Sequence, residues 1–153
     1  KASAQGFLAA KPADIILLHI GTNDFNVSPA GVDGILTNIN TWAQQNYPVN
    51  VFVARIIQTS QLNGKPSNAD ITTFNNSVEG IATGRSFTKV FKVDQQTGAL
   101  LTYTIDASPT CLSGGTCSGD LADDLHPNPR GYGKIADKWR TDMVNFGVLP
   151  SCP

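Results

Sequence analysis

The sequence predicts an α/β fold, a parallel β-sheet flanked by helices. Two observations carry this. Apolar runs bounded by Pro or Gly alternate with segments whose apolar residues recur at helical spacing. The strand-like runs are continuously apolar rather than alternating, as in strands covered on both faces of a parallel sheet. The 153 residues suit one domain, read here as residues 1–153.

The elements follow in order. Residues 3–11 read as the tail of a helix stopped at Pro12. Asp14–Ile20, "DIILLHI", is the first strand, bounded by Pro12 and Gly21. Ser28-Pro29 reads as N-cap and first helical position. It opens a helix with Val32, Leu36, Ile39 and Trp42 or Ala43 on one face. Tyr47-Pro48 ends it. Val49–Ile57 is the second strand and residues 58–67 a polar loop. Asn68 is read as the cap of a third helix bearing Ile71, Phe74, Val78 and Ile81, ending at Gly84. Thr88–Asp94 is the third strand. Residues 95–125 exceed the usual connection length, and Ala99–Ile105 reads as a short extra strand within them. The last helix starts with Asn128 as cap and Pro129 at its first position. Its apolar face is Tyr132, Ile135, Ala136, Trp139, Met143 and Phe146.

Composition excludes several classes. With 41% hydrophobic and 15% charged residues, the chain can build a core. The net charge is −1, and its scattered basic residues make no nucleic-acid footprint. No apolar run approaches the roughly 20 residues of a membrane span, and no leader-like apolar region is read at Lys1. There are three cysteines. Cys111 and Cys117 flank "LSGGT" and are placed to close a small loop as a disulfide. Cys152 is left as a free thiol or the partner of a cysteine elsewhere. Together with the low Lys content and the abundant Asn, Thr, Ser and Gly, this points to a secreted protein.

The chemistry gathers in two places. Asn23 and Asp24 follow the first strand in "GTND", at the carboxyl end where parallel sheets collect function. Far downstream, Asp123 and His126 sit three apart in "DDLHP". A carboxylate at that spacing can accept the imidazole Nδ1 proton, fix the tautomer and stabilise the imidazolium formed when Nε2 takes a proton. Such a His is a general base, and the Asn23 amide is suited to a developing oxyanion.

"GTND" after an apolar strand, followed by "DDLHPNPRGY" and an amphipathic last helix, resembles the SGNH (GDSL) hydrolases. The match is best to their acetylxylan esterase-like carbohydrate esterase branch, from about Lys11 to Phe146. In that branch the last block reads D-G-x-H-P-N-x-x-G-Y, and Asp124 stands at its Gly. The resemblance implies a flavodoxin-like three-layer αβα fold and ester hydrolysis through an acyl-enzyme, with no cofactor and no metal. It implies His126 as base, Asp123 as its orienting carboxylate, Asn23 as oxyanion-hole donor and Gly21 as the small residue presenting it. Asp24 lies at the rim. The substrate implied is an acetylated plant polysaccharide such as acetylxylan.

The family's serine block, a G-D-S turn before GTND, has no counterpart in these residues. "SGD" at Ser118–Asp120 has another order and place. The chain therefore reads as the C-terminal two thirds of such a hydrolase, its first strands and its nucleophile lying outside. It is expected to be nearly inactive alone. The strand at 14–20 then becomes an apolar edge, expected to pair in a dimer or with a separate N-terminal piece.

Plainer readings stand beside these. Asn23-Asp24 is also ordinary turn chemistry, and His126 an ordinary loop residue. His19, inside the strand, reads as a core histidine rather than a ligand. Arg55 reads as a substrate contact or a structural ion pair, and Trp42 and Trp139 as core. Ser108, Ser113 and Ser118 lack the G-x-S-x-G turn of a nucleophile. Rival functions are a non-catalytic relative binding glycan or protein, and a lipase or thioesterase of the same family.

Overall fold

The computed structural model describes residues 4–22, 28–61 and 66–151. In chain order the elements are α1 (Ala4–Ala10), β1 (Ile15–Leu18), α2 (Ala30–Gln45), β2 (Val49–Ala54), α3 (Asn68–Ile81), β3 (Thr88–Val93), α4 (Pro109–Leu112) and α5 (Pro129–Asn145). Contacts divide the chain into two units, Lys1–Arg55 with Thr73–Val93, and Ile56–Thr72 with Asp94–Pro153.

The first unit holds a parallel sheet in the order β1-β2-β3, so the α/β prediction holds. β2 is central, which explains its unbroken apolar run. Neighbouring Val51 and Phe52 point to opposite faces, and both are fully buried. Phe52 stacks on Phe91 at 4.7 Å between ring centroids. Each such side chain contributes about 1.5–3 kcal/mol by leaving water. The register pairs Leu17 with Phe52 and Phe52 with Phe91.

β1 departs from its prediction. It is shorter than Asp14–Ile20, and among the described residues it is an edge strand, paired with β2 alone. Leu17 is 45% exposed, so the strand is not covered on both faces. His19 lies past the strand's end with surface open to solvent, yet burial of the ring's surroundings holds its pKa below the ordinary value, so it is neither a strand residue nor a fully packed core histidine. With one hydrogen-bonded neighbour, an apolar run is not sufficient for burial.

Helix α2 buries Val32, Leu36, Ile39, Trp42 and Ala43, the face its periodicity predicts. Its start differs by one residue. Pro29 occupies the cap position without a side-chain cap bond, while Ser28 Oγ accepts from the Ala30 N–H at 3.3 Å. At its end Asn46 Nδ2 donates to the Trp42 carbonyl at 2.8 Å, and Tyr47 meets Trp42 edge-on at 5.1 Å. Helix α1 packs on α2 through buried Leu8. Beside β1 they leave an apolar groove of about 300 Å³ lined by Phe7, Leu8, Ile16, Leu18, Ile35 and Ile39. Arg55 pairs with Glu79 at 3.1 Å, the structural alternative for that residue.

Helix α3 is capped by Ser67, not Asn68. Ser67 Oγ accepts from the Asp70 N–H at 3.1 Å and donates to Asp70 Oδ2 at 2.7 Å. The Asn68 side chain turns instead to the preceding loop, its Oδ1 accepting from the Thr59 N–H at 3.0 Å. Ile71, Phe74 and Val78 are buried as predicted.

In the second unit the extra strand at Ala99–Ile105 does not form. Leu100 has φ 54°, a left-handed conformation that breaks an extended run. The segment is held instead by irregular bonds, Asp120 N–H to Thr102 O at 3.0 Å and Leu121 N–H to Thr104 O at 3.2 Å. Cys111 and Cys117 form a disulfide, both buried. Short helix α4, capped by Ser108, was not foreseen. Helix α5 begins as predicted, with Asn128 as cap and Pro129 following. Ile135 and Trp139 are buried and Met143 is half-buried, but Tyr132, at 54%, Ala136 and Phe146 are exposed, so only part of the predicted stripe is core. Among the described residues no helix is long and apolar enough to cross a membrane.

Candidate functional site

The turn from Ala122 to Pro127 builds the site, and local chemistry shapes it. The Ala122 N–H donates to the His126 carbonyl at 2.7 Å and closes the turn. Within it, Asp123 Oδ1 accepts from the backbone N–H groups of His126 (2.7 Å) and Leu125 (2.8 Å), as a short aspartate does in a turn. The same carboxylate meets the imidazole, His126 Nδ1 lying 2.8 Å from Asp123 Oδ2 and 3.1 Å from Oδ1. The bond the i, i+3 spacing predicts is therefore formed. Donation from the His126 and Leu125 N–H groups, then from the imidazole, holds the Asp123 carboxyl down at about 2. With Nδ1 engaged, Nε2 is the ring nitrogen left to take a proton. Both side chains are open to solvent, His126 at 64% and Asp123 at 58%.

Two buried residues hold the turn at its base. Asn128, almost wholly buried, accepts from the Gly131 N–H at 3.0 Å as the cap of α5. Its amide donates to the carbonyls of Gly119 (2.9 Å), Asp106 (3.2 Å) and Leu121 (3.4 Å). Asp120, fully buried, pairs with Arg130 Nε at 2.9 Å and Lys134 Nζ at 2.7 Å. Its Oδ2 also accepts from the Thr102 N–H at 2.6 Å. Burial pushes the Asp120 carboxyl up, but Lys134, the Thr102 N–H and Arg130 outweigh it and hold it below its ordinary value. Gly131 must be glycine, because a Cβ there would stand 2.2 Å from the Asp120 carbonyl oxygen.

Sequence reasoning named Asp123, His126 and the Asn128 cap but passed over Asp120, noting "SGD" only for lacking the serine order. The available signal was the i, i+4 spacing of Arg130 and Lys134, which puts two cations on one face of α5.

At the end of β1, Gly21 has φ 122°, and a Cβ there would lie 2.6 Å from the Phe74 ring. Both facts require glycine. Asn23 and Asp24, read as oxyanion donor and rim, lie outside the described residues, as does Cys152. Asp106, Cys111 and Cys117 bring three ligand-type side chains within 4.8 Å of one another. The two sulfurs are bonded together and offer no thiolate to a metal.

No protein-family model matches the chain. A curated multidomain esterase of Ruminococcus flavefaciens is 35% identical over 139 residues, covering 87% of this chain and 16% of that protein. The crystal structure of a carbohydrate esterase family 3 from Talaromyces cellulolyticus superposes with a TM-score of 0.65 at 25% identity, covering 94% of this chain and 63% of that one. The chain thus spans under two thirds of either relative. Its α/β architecture is the flavodoxin-like one of that neighbour. Both comparisons agree with the motifs "GTND" and "DDLHPNPRGY": this chain resembles the SGNH hydrolases, in their carbohydrate esterase branch.

Proposed function

We propose that this chain is the base-bearing part of an SGNH-type serine esterase, its two units belonging to one hydrolase domain, that removes acetyl groups from acetylated plant polysaccharide such as acetylxylan. His126 takes the proton of the attacking serine through Nε2. Asp123 orients the ring and stabilises the imidazolium. Asn23 donates to the oxyanion, with Asp24 at the rim. The serine comes from outside these 153 residues. The observation that carries the reading is the Asp123–His126 pair, whose carboxylate is fixed by two backbone N–H groups before it meets the ring. The likeness to esterases supplies the reaction class. The disulfide fits a secreted protein.

The test is hydrolysis of p-nitrophenyl acetate and of acetylxylan by the full-length protein, with wild type set against His126→Ala. The expected loss in kcat is about 10²–10⁴-fold, the usual contribution of a general base. A variant that keeps wild-type turnover sinks the reading. The rival is a non-catalytic relative that binds glycan or protein, and a full-length sequence without a G-D-S turn would favour it. That rival expects glycan binding to survive His126→Ala in a protein that never turns over ester.

A further inference from the structure

We propose that Ser60 is a positioning residue for the His126 imidazole, acting through Asp124. This rests on the reading of His126 as the base. Asp124 sits between Asp123 and His126 in the turn, where the family pattern has Gly. It is tied to Ser60 twice. The Ser60 N–H donates to the Asp124 carbonyl at 3.1 Å, and Ser60 Oγ donates to Asp124 Oδ1. Bonds to both its carbonyl and its carboxylate hold Asp124 against Ser60 more firmly than either bond alone.

The anchor is itself rigid. Thr59 is buried, and its N–H is taken by Asn68 Oδ1 at 3.0 Å. Gln61 is held with φ 65°, its Nε2 donating to Thr59 Oγ1 and, at 3.2 Å, to the Pro66 carbonyl and Asn68 Oδ1. A non-glycine residue with positive φ persists only where its surroundings enforce it. The opposite side of the His126 turn is fixed through Asn128 and Asp120. Ser60 therefore supplies the second side of a mount whose free part is the imidazole.

The chain has two histidines, so long-range ¹H–¹⁵N spectra give two imidazole patterns, and His126→Gln assigns them. The readout is the ratio of Nδ1–H to Nε2–H tautomer in neutral His126. Wild type is expected to be mainly Nδ1–H, donating to Asp123. Ser60→Ala is expected to lower the ratio about threefold to tenfold, the equivalent of one net hydrogen bond. Asp124→Ala should do the same. Asp124→Asn, which keeps an oxygen for the hydroxyl, should retain most of the wild-type ratio. Should Ser60→Ala lose its dispersed spectrum, Asp124→Ala carries the comparison. A wild-type ratio in Ser60→Ala, or in Asp124→Ala where that carries the test, overturns the positioning role and leaves the base intact. A wild type that is mainly Nε2–H overturns the base reading itself.

Discussion

Asn128→Asp separates the capping role of Asn128 from its donor role. Asn and Asp are about equal as helix caps, and a negative charge at a helix N-terminus gains about 0.3–1 kcal/mol. Capping alone thus predicts a neutral or slightly stabilising change. The structure predicts the reverse. The Asn128 amide donates to the Gly119, Asp106 and Leu121 carbonyls, at a site almost wholly removed from water. The new carboxylate would put oxygen against oxygen and leave buried acceptors without a donor. At about 1–3 kcal/mol for a buried unsatisfied group, less the charge–dipole gain, the net loss is about 1–2 kcal/mol. Asn128→Ala also loses the cap bond to Gly131, so it should cost about 3–4 kcal/mol. Urea unfolding reads both: with a slope of about 1–3 kcal/mol/M, the midpoint for Asn128→Asp should fall by roughly 1 M at unchanged slope. A midpoint within about 0.2 M of wild type refutes the amide's donor role and leaves Asn128 a simple cap.

Gly21→Ala should cost about 2–5 kcal/mol in the same assay, from a disallowed φ and a methyl driven into the Phe74 ring. Phe74→Leu in that background should recover part of the loss, and a neutral Gly21→Ala removes the case for the turn. The Asp123 carboxyl, followed by ¹³C NMR, should titrate near 2. Its folded value lies below the unfolded one, so its contribution to stability is complete above about pH 4 and fades as pH falls towards 2. A midpoint near 4 would mean that the turn N–H groups do not hold it. Sedimentation of the chain alone should show self-association through the β1 edge and its apolar groove, and a stable monomer at high concentration counts against that.

Much of this fold was legible because its period signals are strong and uninterrupted. Helix α2 gave its buried face residue for residue, and β2 read as a doubly covered strand because it is one. The errors share a cause, since each turned on neighbours distant in sequence. β1 carries a run as apolar as β2, but its place at the edge of the sheet exposes Leu17. Ser67 outcompeted Asn68 as a cap because Thr59 and Gln61 supply Asn68 with other partners. The stretch Ala99–Ile105 has strand composition, yet Thr102 and Thr104 bond to Asp120 and Leu121 and Leu100 takes a left-handed conformation. The site divides the same way. Asp123 and His126 meet through an i, i+3 turn that sequence can express, whereas the Asp120 clamp and the Ser60 tether join segments 14 and 64 residues apart.

That division bears on how an exposed imidazole can be held in one orientation. A surface ion pair is worth at most about 1 kcal/mol and holds two side chains loosely. Were the Asp123–His126 contact alone in orienting the ring, an imidazole 64% exposed would sample many rotamers. The order comes from the backbone instead. Asp123 is fixed by two N–H groups before it meets the ring, and the turn is closed by the Ala122–His126 bond. Asn128 and Asp120 then seat the turn on α5 from beneath. The orientation of the imidazole thus depends on residues 119–131 as folded, with buried Asn128 and Asp120 beneath the turn and the Ser60 tether on Asp124 at its other side. On the proposed reading of His126 as a general base, the ring must hold its tautomer and direction when the nucleophile arrives, and the folded turn supplies both.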